Sequence, residues 1–259
     1  MSNNLFDSTT DFLGVFDGIS AQDAEVWARA RSFREDCLPV INGHWEKSEY
    51  PLELVRRLGE LDLMTDGLDV PGHESMTARG AGLALMEVTR ADASMGTVVA
   101  VQAGLAMRSI AMLGSEEQRS RYLPAMASCS LLGAFGLTEP LHGSDSIALE
   151  TTAVRDGDSW VLNGEKKWIG NGASGGVTVI YARMEDGNVG GFIVPQDAPG
   201  YSATVIAGKL SLRAIHQAHI VLEDCRIPAS NRLPGCQTFK DVSRVLTATR
   251  IGVSWMALG

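Results

Sequence analysis

The segment GLTEPLHGSD, residues 136–145, follows an apolar lead-in (Leu131, Leu132, Ala134, Phe135) and crowds a threonine, two carboxylates, a serine, a proline and two glycines together. A plain connector has no use for so many hydrogen-bonding groups beside a core. Thr138, Glu139, Pro140, Gly143, Ser144 and Asp145 are followed further along by NGEKKWIGNG, residues 163–172. Two β segments folded back on each other would set hydroxyls and glycine amides from the first beside a large aromatic, Trp168, from the second. That set suits a flat, polar-edged ligand carrying phosphate, its ring near Trp168 and its phosphate oxygens accepting from Ser144 and backbone N–H groups. A capped turn beside a core tryptophan accounts for the same residues equally well.

Other chemical templates fit poorly. His216 and His219 stand three apart in a run that reads as strand, where they face opposite sides, so they make no metal pair. GKLS, residues 208–211, lacks the upstream glycine of a phosphate loop, and no G-x-G-x-x-G opens a helix after a strand. Lys and Arg number 22 against 31 acidic residues, a formal charge of -9. This argues against nucleic acid as a partner, which needs a basic face. A hydrophobic content of 45% with 20% charged residues is that of a soluble globular protein. Cys37, Cys129, Cys225 and Cys236 form no C-x-x-C pair, which points to reduced thiols in the cytoplasm rather than disulfides or zinc. The acidic start MSNNLFDSTTDF is unlike a signal peptide. No apolar run approaches the roughly 18 residues of a membrane span.

The elements that must position these residues follow from periodicity. Residues 1–20 read as an N-terminal arm, and 21–132 as a helical domain. Within it AQDAEVWARARSFREDC places Ala24, Trp27, Ala28, Ala30 and Phe33 near one face, and Pro39 ends the run. Leu52, Val55 and Leu58 repeat the period after Pro51. Two strongly apolar runs, TARGAGLALMEVTRADASM and GTVVAVQAGLAMRSIAML, read as buried helices; Gly114 closes the second, and Ser115 with Gln118 forms a capping box for the next. From 133 to 237 the period becomes two. Asp156-Gly157 and Asn163-Gly164 signal hairpins, and VTVIYAR, GGFIVP, YSATVI and AHIVLEDCRI read as strands. Residues 238–259 return to a helical stripe of Phe239, Val242, Leu246, Thr249 and Val253. The fold class is α+β: an all-α domain, a β-barrel or sandwich domain, then the first helix of a further bundle.

GLTEPLHGSD together with LNGEKKWIGNG resembles the flavin-binding signature of the acyl-CoA dehydrogenase family. EVTRADASMGTVVAVQAGLAM, GSEEQRSRYLPAMA, GFIVPQDAPGYSATVIAGKLSLRAIHQAHIVLEDCRIP and RLPG look like the family in order and spacing, from about residue 20 to the end. The likeness is greatest to the glutaryl-CoA dehydrogenase and short-chain acyl-CoA oxidase branch. It implies FAD as cofactor, an acyl-CoA thioester as substrate, and an electron-transfer flavoprotein or oxygen as acceptor. It also implies a tetramer of full-length chains, a C-terminal bundle cut short at Gly259, and a catalytic glutamate beyond that residue, so no catalytic base in this chain. The acyl-CoA oxidase and a non-catalytic acyl-CoA-binding subunit are the alternatives.

Residue by residue, the resemblance lays Phe135, Gly136, Leu137, Thr138, Gly143 and Ser144 along FAD, with Thr138 at the isoalloxazine edge and Ser144 near the pyrophosphate and the CoA arm. Trp168, Ile169 and Gly170 cover the flavin face. Val245, Leu246, Thr249 and Arg250 contact acyl-CoA, as do Gly96 and Thr97. No metal is implied. Two departures stand out. Gly170 replaces a threonine that donates near flavin N5, which removes the donor and is expected to open space there, as in an oxidase. Gly96 and Thr97 replace the Arg-Ser pair that meets a distal carboxylate, so a neutral short acyl chain is expected.

Overall fold

In the computed structural model Gly14 and residues 16–259 are described, and most of the expected arm lies outside them. The first half is helical. α1 (Ala21–Cys37) starts where the Ser20 hydroxyl accepts from the Asp23 N–H, and it buries Val26, Trp27, Ala30, Phe33 and Cys37. Ala28, expected on that face, is exposed and Val26 takes its place. α2 (Ile41–Lys47) and α3 (Leu52–Glu60) follow; α3 buries Leu54, Val55 and Leu58, whereas Leu52 is exposed. α4 (Ala78–Ala91) is buried along almost its whole length. α5 (Ala93–Val99), a π-helical segment (Ala100–Met107) and α6 (Arg108–Leu113) run on as one helix, and α7 (Glu116–Ala127) begins with the expected Ser115–Gln118 capping box.

The continuous helix Ala93–Leu113 has 21 residues and mean hydropathy 1.4, long and apolar enough to cross a membrane by length and composition. No run of consecutive apolar residues marks it, because small and polar residues such as Gln102 and Arg108 break the run without lowering the mean much. Its apolar window is 56% buried within this chain, as in a central core helix.

The second half is one seven-stranded mixed sheet, a curled half-barrel rather than two facing sheets. Its strands are β1 (Gly133–Gly136), β2 (Thr152–Asp156), β3 (Ser159–Gly170), β4 (Val177–Met184), β5 (Val189–Pro195), β6 (Tyr201–Val205) and β7 (Gln217–Pro228). β4 has three partners: β5 antiparallel on one side, β1 and then β2 parallel on the other. Asp156 and Ser159 close the β2–β3 hairpin as expected. Asn163-Gly164 makes no turn. β3 runs straight through it, the register against β7 shifting between Leu162 and Gly164. The Asn163 side chain reaches Asp224 across the strands instead, accepting from its N–H at 2.7 Å and donating to its carboxylate at 3.1 Å. The local turn signal becomes a β-bulge because cross-strand pairing continues on both sides.

The helical core continues under one face of the sheet through Val177, Val179, Tyr181 and Ile193. Trp160, Leu162, Ile180, Phe192 and Ile220 pack on the other face. Polar bonds tie the two halves: Tyr181 Oη donates to Ser109 Oγ at 2.9 Å, Tyr50 Oη donates to Asn171 Oδ1 at 2.9 Å, and Gln118 Nε2 donates to the carbonyls of Ser230 and Arg232. α8 (Phe239–Leu258), opened by a Thr238–Asp241 capping box, returns to the helical half. It buries Val242 and Val245 and half-buries Leu246, Trp255 and Met256; Val253, expected in that stripe, is exposed.

Candidate functional site

β1 delivers the polar segment. Phe135 is half-buried against Tyr181, its ring centroid 5.2 Å away, and at Gly136 a Cβ would lie 2.6 Å from Ile180 Cδ1, so the strand ends in a tight packing position. Leu137 is buried and Thr138 half-buried. The Lys167 N–H donates to the Thr138 carbonyl at 2.9 Å. That bond joins the end of the β1 segment to β3 one residue before Trp168, so the structure brings Thr138 and Trp168 together.

Trp168 is not a core residue. A second register shift, between Lys166 and Ile169, throws it out of the ladder at φ 65°, and it stays 51% exposed. Such a backbone conformation is costly for a bulky residue and persists where surrounding structure imposes it. Ile169 turns back into the core opposite Ala218. Gly143 and Ser144 stand exposed in the following loop, Gly143 with nothing within 4 Å of where a Cβ would sit. A half-exposed aromatic face beside a half-buried hydroxyl, with an open glycine–serine loop downstream, fits a flat ring bearing phosphate.

Glu139 does not serve that ligand surface. Its carboxylate is buried and receives Lys166 Nζ at 2.6 Å, the Thr151 hydroxyl at 2.6 Å, and the N–H groups of Glu150 and Thr151 at 2.6 and 3.0 Å. Burial pushes the carboxyl up, but the Lys166 charge and these donors outweigh it and hold it below the usual range. Lys166 is itself buried, and that burial pulls its ammonium below its ordinary value against the opposing pull of Glu139. Sequence reasoning passed over this pair. The signal was there: Trp160, Leu162 and Lys166 share one face of β3 by period two, and a lysine at an inward position needs a buried partner.

At Gly170 the expected open space is filled. A Cβ there would lie 3.1 Å from Val101 and 3.2 Å from Ile215, so the donor is absent but two apolar side chains occupy the room. Val101 belongs to the π-helical segment, which also presents Gly104 and Leu105 to a cleft of about 270 Å³ between α4 and α8. Thr249 lines this cleft with Leu85 and Met256. Arg108 also lines it, and its guanidinium donates to the carboxylate and the carbonyl of Asp66 at 2.6 Å each. Burial raises the Asp66 carboxyl against the pull of Arg108.

The remaining acyl-CoA candidates are scattered. Val245 is fully buried in the core, Leu246 half-buried and Arg250 exposed. Gly96 lies against α4, where a Cβ would overlap the Thr89 side chain, and the Thr97 hydroxyl donates back to the Ala93 carbonyl at 2.8 Å. His216 stacks on Tyr50 and His219 meets Glu165 at 2.7 Å. GASGG, residues 172–176, has the spacing of a nucleophile elbow but leads into β4 and not into a helix, so Ser174 lacks that motif's setting.

The chain is similar to known proteins in both halves. The acyl-CoA dehydrogenase N-terminal domain matches residues 20–130 and the acyl-CoA dehydrogenase middle domain residues 134–225. The short-chain specific acyl-CoA dehydrogenase, mitochondrial, of Rattus norvegicus is 37% identical over 243 residues, covering 88% of this chain. A glutaryl-CoA dehydrogenase from Mycobacterium smegmatis superposes with a TM-score of 0.91 at 40% identity, over 95% of this chain and 64% of that one. A glutaryl-CoA dehydrogenase of the same organism in complex with FADH2 gives 0.89 at 36%, over 94% and 64%. The chain spans 57% of the length of the rat relative. It belongs to the acyl-CoA dehydrogenase family, whose N-terminal and middle domains it carries.

Proposed function

We propose that these residues hold FAD along the β1–β3 junction and present an acyl-CoA thioester for α,β-dehydrogenation, the base being supplied from outside residues 1–259. The observation that supports this reading best is the Lys167–Thr138 backbone bond, which sets the half-exposed Trp168 ring beside Thr138. Trp168 would cover the ring system, Thr138 would donate at its edge, and Gly143 and Ser144 would meet the phosphates, while the Ile169 side chain packs in the core behind Trp168. When bound, the flavin supplies a hydride acceptor for Cβ of the acyl chain. Val101 and Ile215, packed around Gly170, keep water from that face.

The cleft lined by Leu105 and Thr249 takes the acyl end. Its lining cation, Arg108, is already neutralised by Asp66, and Gly96 has no room for a guanidinium-bearing side chain. A neutral short acyl chain therefore fits better than a dicarboxylate, whose unpaired end would be buried at a cost of several kcal/mol. The acceptor is an electron-transfer flavoprotein, or oxygen if the missing donor at Gly170 marks an oxidase; peroxide release on turnover of a longer form tells them apart. The protein assembles as a tetramer in this reading.

The test is a flavin titration of the purified chain. Weak, saturable quenching of tryptophan fluorescence by FAD with no bleaching by butyryl-CoA is expected. Tight stoichiometric FAD that bleaches with butyryl-CoA refutes the placing of the base outside these residues, and no binding at all refutes the flavin site.

A further inference from the structure

A buried ion pair is weak evidence for stability, since desolvating two charges costs several kcal/mol per ion and the attraction often does no more than offset it. The Glu139–Lys166 pair therefore asks for another explanation, and its place in the chain offers one. Lys166 Nζ donates to the Glu139 carboxylate at 2.6 Å and approaches the Leu137 carbonyl at 3.3 Å. The next residue, Lys167, donates its N–H to the Thr138 carbonyl at 2.9 Å. Three consecutive residues, 137 to 139, are thus pinned by two consecutive residues of β3. The residue after those two is Trp168, forced outward at φ 65°. Glu139 is anchored in turn from the far side by Thr151 and by the Glu150 N–H, so the pair cannot slide along β3 without breaking bonds to a third segment.

We propose that Lys166 is a positioning residue: clamped by Glu139 beneath the site, it fixes the distance and angle between Thr138 and Trp168 without touching the ligand. The inference rests on the flavin reading given above. It assigns a task to the two charges that the ligand surface does not use. A bound flavin needs its ring edge and its ring face met at once, and a clamp on the backbone of both segments removes their relative freedom before binding.

The experiment compares the wild-type chain with the double variant Lys166→Met/Glu139→Gln, which removes both charges at similar volume and strands neither. Amide hydrogen exchange is followed at Lys167, whose N–H reports the bond to Thr138, with the β4 amides as internal reference. FAD affinity is read from the change in flavin absorbance on titration. Expected are an unchanged far-UV spectrum, unchanged β4 exchange, at least tenfold faster exchange at Lys167 and at least tenfold weaker FAD binding. A simple structural contribution would speed exchange throughout the sheet instead, and that result overturns the proposal. Unchanged FAD affinity in the double variant also overturns it, whatever the exchange shows. If the wild-type chain binds no FAD, the flavin reading falls separately, and exchange at Lys167 alone decides whether Lys166 holds the two segments. Should the double variant not fold, Thr151→Val carries the same readouts with both charges kept. Loss of its hydroxyl bond should still speed exchange at Lys167 by a few-fold, and no change there counts against the clamp.

Discussion

Replacing Gln102 by methionine probes how β1 is held in place. Gln102 is fully buried in the π-helical segment. Its Nε2 donates to the Met126 carbonyl at 2.7 Å and reaches the Leu131 carbonyl at 3.4 Å, while its Oε1 accepts from the Gly133 N–H at 3.0 Å. Methionine fills similar space but makes none of these bonds. The Met126 carbonyl keeps a second partner, the Cys129 N–H at 3.1 Å, so the groups that lose their bond to residue 102 unreplaced are the Gly133 N–H at the first residue of β1 and, at longer range, the Leu131 carbonyl. A buried unsatisfied donor costs about 1–3 kcal/mol, and each ordinary hydrogen bond lost adds about 0.5–1.5 kcal/mol. The expected loss is about 2–4 kcal/mol. At about 2–4 °C per kcal/mol for a chain of this size, the melting temperature should fall by about 5–15 °C. Urea unfolding followed by far-UV circular dichroism measures it directly. A loss below about 0.5 kcal/mol, the range of an ordinary surface substitution, would show that β1 is held by its pairing with β4 and not by this amide.

Three further outcomes are expected. Gly96→Arg should push α4 from α5 and lower stability by about 1–3 kcal/mol, as overpacking does, without improving glutaryl-CoA binding; a variant that melts like wild type and gains affinity for glutaryl-CoA contradicts the packing role of Gly96. Trp168→Ala should leave stability within about 1 kcal/mol, since the ring is half exposed, yet weaken FAD binding by about tenfold, worth about 1.4 kcal/mol; equal FAD affinity by titration counts against the ring-face assignment. The Glu139 carboxyl is held below its ordinary value, so its contribution is complete above the unfolded value of 4.5 and declines as pH falls through the lower folded one. Urea midpoints between pH 7 and pH 3 should therefore drop more steeply for wild type than for Glu139→Gln, and parallel curves would remove Glu139 from the acid response.

Periodicity in the sequence located the buried helices, the Ser115–Gln118 cap and the strands around β4, because each of these is decided within a short window. It failed where a distant partner decides. Asn163-Gly164 has turn chemistry, but β7 pairs with β3 on both sides of it and converts the turn into a bulge. The room expected at Gly170 depended on Val101 and Ile215, neither near it in the chain. The cleft was invisible for the same reason. It exists because Trp255 of α8 packs its indole against Gly82 of α4, where any Cβ would overlap the ring, and no local pattern announces that approach. Thr138 and Trp168 were legible as candidates through their motif, but the Lys167 bond that joins them, and the exposure that separates Trp168 from a core residue, required the fold.

The parallel pairing of β1 with β4 also bears on the order of assembly. The β2–β3 hairpin closes through a two-residue loop, and hairpins of that kind form in about 1–10 μs. β1 has no such neighbour: Gly133 must find Val177 across the whole of β2 and β3, and contacts between distant residues form slowly because the intervening chain must first be ordered. The strand that leads into Thr138 is therefore expected to dock after the sheet it joins. Until that step Trp168 projects from the bulge of β3 against β7 without Thr138 beside it. A cofactor added to refolding chains should register only in the slowest phase, as a late event on an otherwise folded sheet.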